Sequence, residues 1–277
     1  MSSCNGNCSE CGSDCADRKP ESLLAELNPN ASVKKVIAVV SGKGGTGKTT
    51  FTASVGLALA AMGRHVLCMD CDITLRNLDL ALGLSDSALM DFSDVLSGSC
   101  SLADAVTTHP RYQKLDFLPA PLTFREPSYS AAQLLRLAAS IRESYDFCLI
   151  DAPAGLGTGF RMATDMADSV IVVTTTDVSA LRDAQHTVME LDRFPVGCIH
   201  LVVNRVQKKL LRSLHTTIDD AIDTAGLPLL GVVPEDIDVP ASLNRGTPVR
   251  EYSYYAARAF ENIAKRINGI RTPLMKI

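Results

Sequence analysis

The sequence predicts an α/β fold with a doubly wound, mostly parallel sheet, and three observations support this. Short apolar runs rich in Val and Ile recur from Val33 onward. Longer segments with the apolar spacing of helices separate these runs. Most of the runs are apolar throughout rather than alternating, as is typical of strands covered on both faces. A strand–helix alternation of this kind is connected by right-handed crossovers, which gives a parallel sheet.

Seven strands are predicted, with helices between them. The strand segments are residues 36–40, 65–69, 115–118, 147–150, 170–174, 199–203 and 229–233. Helix patterns keep one apolar face through Phe51, Val55, Ala58 and Met62, and again through Leu134, Leu137, Ala138 and Ile141. A last helix, predicted to pack on the core, carries Tyr255, Ala259, Phe260, Ile263 and Ile267. With no internal repeat, we predict one domain over residues 33–277 and a flexible, cysteine-rich tail and linker over residues 1–32.

Composition and charge exclude several classes of protein. The 277 residues carry a net charge of −4, which disfavours non-specific nucleic-acid binding because such binding needs a strong cationic field. No apolar run approaches the roughly 20 residues of a membrane-spanning helix. The first residues are polar and lack the apolar core of a secretion signal. We therefore predict a cytoplasmic protein.

A glycine-rich segment between the first strand and the first helix predicts a phosphate-binding loop. Its residues, which fit the pattern G-x-x-x-x-G-K-[ST], are Gly42, Lys43, Gly44, Gly45, Thr46, Gly47, Lys48 and Thr49, with Thr50 next in the helix. Glycines allow successive backbone N–H groups to surround phosphates, and the helix N-terminus adds positive potential. Lys48 is expected to contact the β- and γ-phosphates, and the Thr49 hydroxyl is expected to reach Mg²⁺.

Carboxylates follow two of the predicted strands. Asp70 and Asp72 come after the second strand, and Asp151 comes after the fourth. Because ligands bind at the carboxyl edge of such a sheet, these groups should face the phosphates. Asp151 closes an apolar run, the Walker B arrangement that holds Mg²⁺ through water. The alternative for each is a carboxylate that caps a turn or a helix.

The extra lysine in the loop identifies a family. The run from Lys43 to Thr49 resembles the deviant Walker A motif of the MinD/ParA/Mrp family, the SIMIBI class of P-loop ATPases. This resemblance implies an ATP-dependent homodimer in which Lys43 reaches the partner's phosphates. It also implies that Asp72 orients the attacking water. Asp70 is implied to support Mg²⁺ indirectly, through the groups that bind the ion.

Further segments resemble the MinD branch of the family. Residues 70–79 match its first switch, and residues 151–155 match its second switch. Thr74 stands where the first switch usually has glycine, and we expect this threonine to stiffen the segment. The resemblance places adenine between two strand ends, where the predicted contacts are Asn204, Arg205, Pro234, Glu235 and Asp236. It implies a role in placing the division septum and a protein activator or effector. The family's C-terminal membrane helix would begin where this chain stops, so we do not expect direct membrane binding, although a peripheral position at the inner membrane face stays open.

Four cysteines cluster at the N-terminus. Cys4, Cys8, Cys11 and Cys15 lie close enough together to hold an iron–sulfur cluster or one zinc ion, and a tail without metal is the third possibility. The tail resembles those of some Mrp-type ATPases, so an iron–sulfur carrier is one alternative function. Positioning of DNA or flagella, as in ParA and FlhG relatives, is another. Cys68 and Cys71 are expected on opposite faces of their strand.

Overall fold

A computed structural model describes residues 35–84, 89–122, 129–207 and 218–275. The predicted tail, its four cysteines and the boundary after residue 32 lie outside these residues. Within the described ranges, no helix combines the length and the apolar character needed to cross a membrane.

The core of the molecule is one eight-stranded sheet. Its strands are β1 (Lys35–Val40), β2 (Val66–Asp70), β3 (Thr107–Thr108), β4 (Leu115–Leu118), β5 (Phe147–Asp151), β6 (Ser169–Thr174), β7 (Cys198–Val206) and β8 (Leu229–Pro234). They lie in the order β3-β4-β2-β5-β1-β6-β7-β8, and every pair is parallel except β3 with β4. The doubly wound, mostly parallel sheet is therefore confirmed.

Helices cover both faces of this sheet. They are α1 (Lys48–Ala61), α2 (Leu78–Leu82), α3 (Phe92–Ser97), α4 (Leu102–Ala105), α5 (Ala131–Ser144), α6 (Thr158–Met166), α7 (Val178–Leu191), α8 (Ile218–Ala225), α9 (Asp238–Asn244), α10 (Val249–Tyr252) and α11 (Tyr255–Ile267). Successive side chains of β1 point to opposite sides, so Ala38 joins the core under α5 to α8 while Val39 joins the core under α1 and α11. Cys71 and Cys68 divide between the same two cores, as predicted.

Three details differ from the sequence prediction. The short antiparallel β3 was not predicted, since two threonines carry no strand pattern. Helix α1 is buried from Phe51 to Ala60 rather than along one face, because α2 and α11 cover the side turned away from the sheet. In α11, Ala259, Phe260 and Ile263 are buried as predicted, whereas Tyr255 at the helix start is 65% exposed.

Candidate functional site

The predicted phosphate loop joins β1 to α1 at the carboxyl edge of the sheet. Gly45 (φ 79°) and Gly47 (φ 88°) adopt left-handed backbone that favours glycine. Gly47 directly precedes α1, which has no side-chain cap and no acidic residue in its first turn. The N–H groups that begin α1 are therefore available to an anion, and the helix dipole favours one there.

Two neighbours hold the loop closely. A Cβ on Gly42 would lie 2.3 Å from the backbone oxygen of Asp183 in α7. A Cβ on Gly47 would lie 2.3 Å from Nδ2 of Asn204, which donates a hydrogen bond of 2.7 Å to the Thr46 carbonyl. The loop is thus fixed between α7 and the end of β7.

This packing makes Gly42 sensitive to a single methyl group. We expect Gly42→Ala to lower the free energy of unfolding by about 1–3 kcal/mol, the usual cost of overpacking, because backbone atoms of α7 have to move. Gly44→Ala is the matched control, since its Cβ would meet only Ala154 at 4.0 Å. Urea denaturation of both variants tests this; equal stability of the two would contradict the tight contact with α7.

Lys48 is a buried cation at the start of α1. It is 8% exposed, and burial lowers the pKa of its ammonium while Asp151 and Asp72 oppose that shift. Beside it in the loop, the Thr46 hydroxyl is buried and makes no hydrogen bond within the part of the chain that the structure describes. A buried ammonium and an unpaired hydroxyl are groups that a phosphate would satisfy.

The two carboxylates at the ends of β2 and β5 lie side by side. Asp70 and Asp151 are register partners and are both 1% exposed. Burial and the charge of Asp151 raise the pKa of Asp70 to about 8. Burial also raises the pKa of Asp151 to about 6, although hydrogen bonds from Thr49 (2.6 Å) and Thr52 (3.3 Å) and the charge of Lys48 oppose this.

This arrangement fits a magnesium ion brought by a nucleotide. A hard divalent cation stabilises the ionised form of two adjoining buried carboxyl groups next to a threonine hydroxyl. Among the described residues no three His, Cys, Asp or Glu side chains are grouped to hold a metal alone. Thr49 and Asp151 would therefore hold the ion together with phosphate and water oxygens, with Asp70 behind them.

The Asp70 environment predicts a pH dependence of stability without nucleotide. Its pKa is about 8 in the folded chain against an ordinary 3.8, so the folded state binds more protons between those values. The free energy of unfolding therefore falls as pH rises through this window. Asp70→Asn keeps an acceptor oxygen and removes the charge, so its melting temperature should match wild type near pH 3.5 and exceed it increasingly towards pH 8.5. A difference in melting temperature between the two proteins that stays constant with pH would contradict the raised pKa of Asp70.

The segment after β2 forms the first of the two predicted switches. The Asp72 carboxylate accepts hydrogen bonds from the Thr74 N–H (3.0 Å) and the Leu75 N–H (3.1 Å). Its own N–H donates to Asp70 at 2.8 Å. Thr74, at the usual glycine position, does not have a positive φ; the left-handed residue of this segment is Arg76, with φ 42°. Asp72 also acts on the Lys48 pKa, so it belongs to the phosphate end of the site.

The second predicted switch packs against the first. Gly155 (φ 84°) follows β5, and its N–H donates to the Ser41 carbonyl at 3.2 Å. A Cβ on Gly159 would lie 2.7 Å from the Cys71 carbonyl and 2.6 Å from Pro153. The start of α6 therefore lies in close contact with the segment that carries Asp72.

Lys43 points towards α7. Its ammonium donates a hydrogen bond of 3.0 Å to the Ser179 hydroxyl and is exposed. It borders a polar cleft of about 330 Å³ with Thr175, Thr176 and Asp177. No carboxylate of the described ranges lies within ion-pair distance of Lys43. Its charge is therefore available at the surface beside the phosphate loop.

A second cleft, of about 240 Å³, lies where adenine contacts were predicted. Its lining includes the predicted residues Asn204, Arg205, Pro234, Glu235 and Asp236, together with Thr50. Sequence reasoning missed four apolar lining residues: Val239, Pro240, Leu243 and Phe260. Only the position of α9 directly after β8 could have indicated the first three. The apolar wall suits one face of a flat base.

The predicted base contacts have other roles in this structure as well. Asn204 uses its amide N–H on the phosphate loop, as described above. Arg205 (φ 56°) forms two hydrogen bonds to Glu235, at 2.9 and 3.2 Å, and a third to the Gly45 carbonyl at 3.2 Å. The Asp236 carboxylate accepts from the Ala256 N–H and the Ser253 hydroxyl and so fixes the start of α11. The base cleft and the phosphate loop are thus connected through side chains.

Comparisons with known proteins show the family to which this chain belongs. A family model for the CobQ/CobB/MinD/ParA nucleotide binding domain matches residues 37–249. The septum site-determining protein MinD of Synechocystis sp. is 37% identical over 246 residues, which cover 88% of this chain and 92% of that protein. The matches confirm the family resemblance that the phosphate loop predicted.

Solved structures with the same fold include two cell-division proteins. The MinC:MinD cell division protein complex of Aquifex aeolicus matches with a TM-score of 0.80 and 33% identity, covering 87% of this chain and 98% of that one. The septum site-determining protein MinD of Pyrococcus horikoshii, complexed with Mg-ADP, matches with a TM-score of 0.75 and 34% identity, covering 84% and 96%.

Proposed function

The chain belongs to the CobQ/CobB/MinD/ParA nucleotide-binding family, and from this premise we propose that it is a MinD-like ATPase acting in division-site placement. The observation that carries the proposal is the convergence of Lys48, Asp70, Asp72 and Asp151 on one phosphate loop at the carboxyl edge of the sheet. The chain matches septum site-determining proteins over nearly their whole length. This similarity favours a role in septum placement over iron–sulfur carriage or DNA partitioning.

The reaction is hydrolysis of ATP to ADP and phosphate. The N–H groups of the loop and the Lys48 ammonium hold the β- and γ-phosphates and neutralise the charge that develops between them. Asp72 accepts a hydrogen bond from a water molecule and orients its oxygen towards the γ-phosphorus. The water oxygen forms a bond to the γ-phosphorus as the bond from that phosphorus to the bridging oxygen breaks. The bridging oxygen leaves with ADP, and the water's proton passes to the released phosphate. Bound Mg²⁺ supplies further charge neutralisation.

Lys43 acts in the partner protomer of an ATP-dependent homodimer. Three observations support this. The lysine is exposed beside the loop and has no carboxylate partner in the described ranges. Apolar side chains that follow β2, β5 and β6 at the same edge of the sheet are exposed: Leu75 by 66%, Leu156 by 39% and Val178 by 63%. A face that combines a free cation with exposed apolar groups fits an isologous contact with a second copy.

Membrane attachment through α11 is not part of this proposal. Phe260 and Ile263 are 2% exposed within the core, so α11 would have to unfold to present them to lipid. A protein partner fits better, since one solved relative is a complex of MinD with MinC.

Depletion of the protein in its native host tests the cellular role. We expect septa at misplaced positions, with iron–sulfur enzyme activities and plasmid retention unchanged. Restoration by wild type, but not by Lys48→Ala, would tie the effect to nucleotide binding. Normal septum placement together with loss of iron–sulfur enzymes would contradict the proposal and favour the carrier function.

A further inference from the structure

Two successive carbonyl groups of the phosphate loop are held by side chains from the end of β7. The Gly45 carbonyl accepts a hydrogen bond of 3.2 Å from Nη1 of Arg205. The Thr46 carbonyl accepts one of 2.7 Å from Nδ2 of Asn204, and this bond is buried. The orientation of these two peptide groups is therefore set by residues that lie far from the loop in the sequence.

Fixing a carbonyl also fixes the N–H group of the same peptide. A trans peptide is planar, so its N–H points in the opposite direction to its C=O. The Thr46 N–H shares a peptide with the Gly45 carbonyl, and the Gly47 N–H shares one with the Thr46 carbonyl. Neither N–H donates a hydrogen bond within the part of the chain that the structure describes. Successive backbone N–H groups turned to one side form an anion-binding concavity.

A β-bulge brings both side chains to the loop. Val203 and Val206 of β7 pair with β8, and between them lie Asn204 and Arg205, whereas β8 has only Val233 at this level. In a regular strand, two consecutive side chains point to opposite faces. Here the left-handed backbone of Arg205, with φ 56°, turns its side chain to the same loop as its neighbour. Such a conformation is unfavourable for a residue other than glycine and is often found at functional sites.

The guanidinium that binds the loop is itself held in place. Nε and Nη2 of Arg205 donate to the two carboxylate oxygens of Glu235, so Nη1 is the group left for Gly45. The Glu235 N–H donates to the Val206 carbonyl at 3.0 Å, which ties this residue to the bulge. Because the guanidinium is planar and rigid, two fixed bonds determine the direction of the third.

We propose that Asn204 and Arg205 are positioning residues that preorganise the phosphate loop. They hold the loop carbonyls so that the N–H groups of Thr46 and Gly47 face the phosphates before a nucleotide binds. Donors that are already oriented bind an anion more tightly, because the loop does not have to be ordered on binding. This inference rests on the proposed binding of ATP at the loop. It gives both residues a role at the triphosphate, in addition to the base contacts predicted from the sequence.

The affinity for inorganic tripolyphosphate separates this role from a base contact. With Mg²⁺ present, we expect Asn204→Ala to bind both ATP and tripolyphosphate about tenfold more weakly than wild type, since one orienting hydrogen bond is lost. A residue that only contacts the base would change the affinity for ATP and leave that for tripolyphosphate unchanged. Calorimetric titration of the full chain measures both affinities, and a melting curve without ligand establishes that the variant is folded.

Three outcomes of this titration are informative. Unchanged tripolyphosphate affinity in Asn204→Ala would overturn the proposal. A wild-type chain that binds ATP but not tripolyphosphate would also overturn it, because a preorganised loop binds the phosphates without the base. A wild-type chain that binds neither ligand would instead contradict the proposed function.

Substitutions of Arg205 give a second test. Arg205→Asn removes the guanidinium but tolerates left-handed backbone, so the bulge is kept. Arg205→Lys keeps the charge but cannot bind Glu235 and Gly45 together. Both should bind tripolyphosphate about tenfold more weakly than wild type, for the same reason as Asn204→Ala. The matched control is Gln207→Ala, an exposed position two residues further along, which should bind both ligands as wild type does. Wild-type tripolyphosphate affinity in Arg205→Lys would show that only the charge matters and would overturn the positioning role of Arg205.

Discussion

The Lys48→Ala variant is expected to lose ATP affinity by about a hundredfold or more while it keeps its fold. Lys48 is a desolvated cation in a loop whose N–H groups face the same anion. Charge-assisted hydrogen bonds contribute about 1.5–3 kcal/mol each, and 1.4 kcal/mol corresponds to a tenfold change in affinity. Two such bonds to phosphate oxygens account for the expected loss.

Calorimetric titration with ATP and Mg²⁺ measures this effect. Lys43→Ala is the matched control. It removes another lysine of the same loop, but that lysine is exposed and forms a hydrogen bond to α7. It should bind ATP within about threefold of wild type, since an exposed charge contributes little. Equal losses in both variants would show that the two lysines act on the same nucleotide in the same way.

The second large effect is expected on catalysis by Lys43→Ala. If Lys43 completes the partner's site, the rate of hydrolysis by this variant should fall by a factor of about 10². This factor is smaller than the roughly 10³–10⁵ that an arginine finger contributes, because a lysine offers a single point charge rather than the planar fork of a guanidinium. Phosphate release at saturating ATP measures this. Lys43→Arg should retain part of the activity.

Ser179→Ala controls for the contact that Lys43 makes in a single chain. It removes the hydroxyl that accepts from Lys43 but leaves the lysine in place. Hydrolysis by this variant should not fall, because the partner's nucleotide replaces that contact in the dimer. A loss as large as that of Lys43→Ala would indicate that the contact with α7, rather than the charge, matters.

Much of the fold followed from the sequence, and the reason is physical. Strands buried on both faces are mostly apolar throughout, so β1 and β6 were visible as runs of Val and Ile and β5 as a short apolar run that ends in Asp151. The phosphate loop was visible because its glycines and Lys48 have a fixed spacing. Asp70 and Asp151 were predicted to face the phosphates because both end strands at the carboxyl edge of the sheet, but the sequence did not show that they are register partners.

What the sequence did not show depends on tertiary contacts. The apolar wall of the base cleft comes partly from Phe260, far along the chain, and no local pattern connects it to β8. Arg205 binds both Glu235 and the loop, a role that an exposed basic residue does not reveal in a sequence. No local pattern indicated the left-handed backbone of Arg76, which follows the turn held by the Asp72 carboxylate.

Mixing two inactive variants tests most directly whether Lys43 serves the partner's nucleotide. Lys43→Ala and Asp72→Ala should each be inactive alone. In a mixed dimer, the Lys43→Ala protomer keeps its own Asp72 and receives Lys43 from its partner, so one site is complete. An equimolar mixture should therefore regain about one quarter of wild-type hydrolysis, since half of the dimers are mixed and each has one complete site. A mixture that stays as inactive as its components would contradict the role of Lys43 across the dimer.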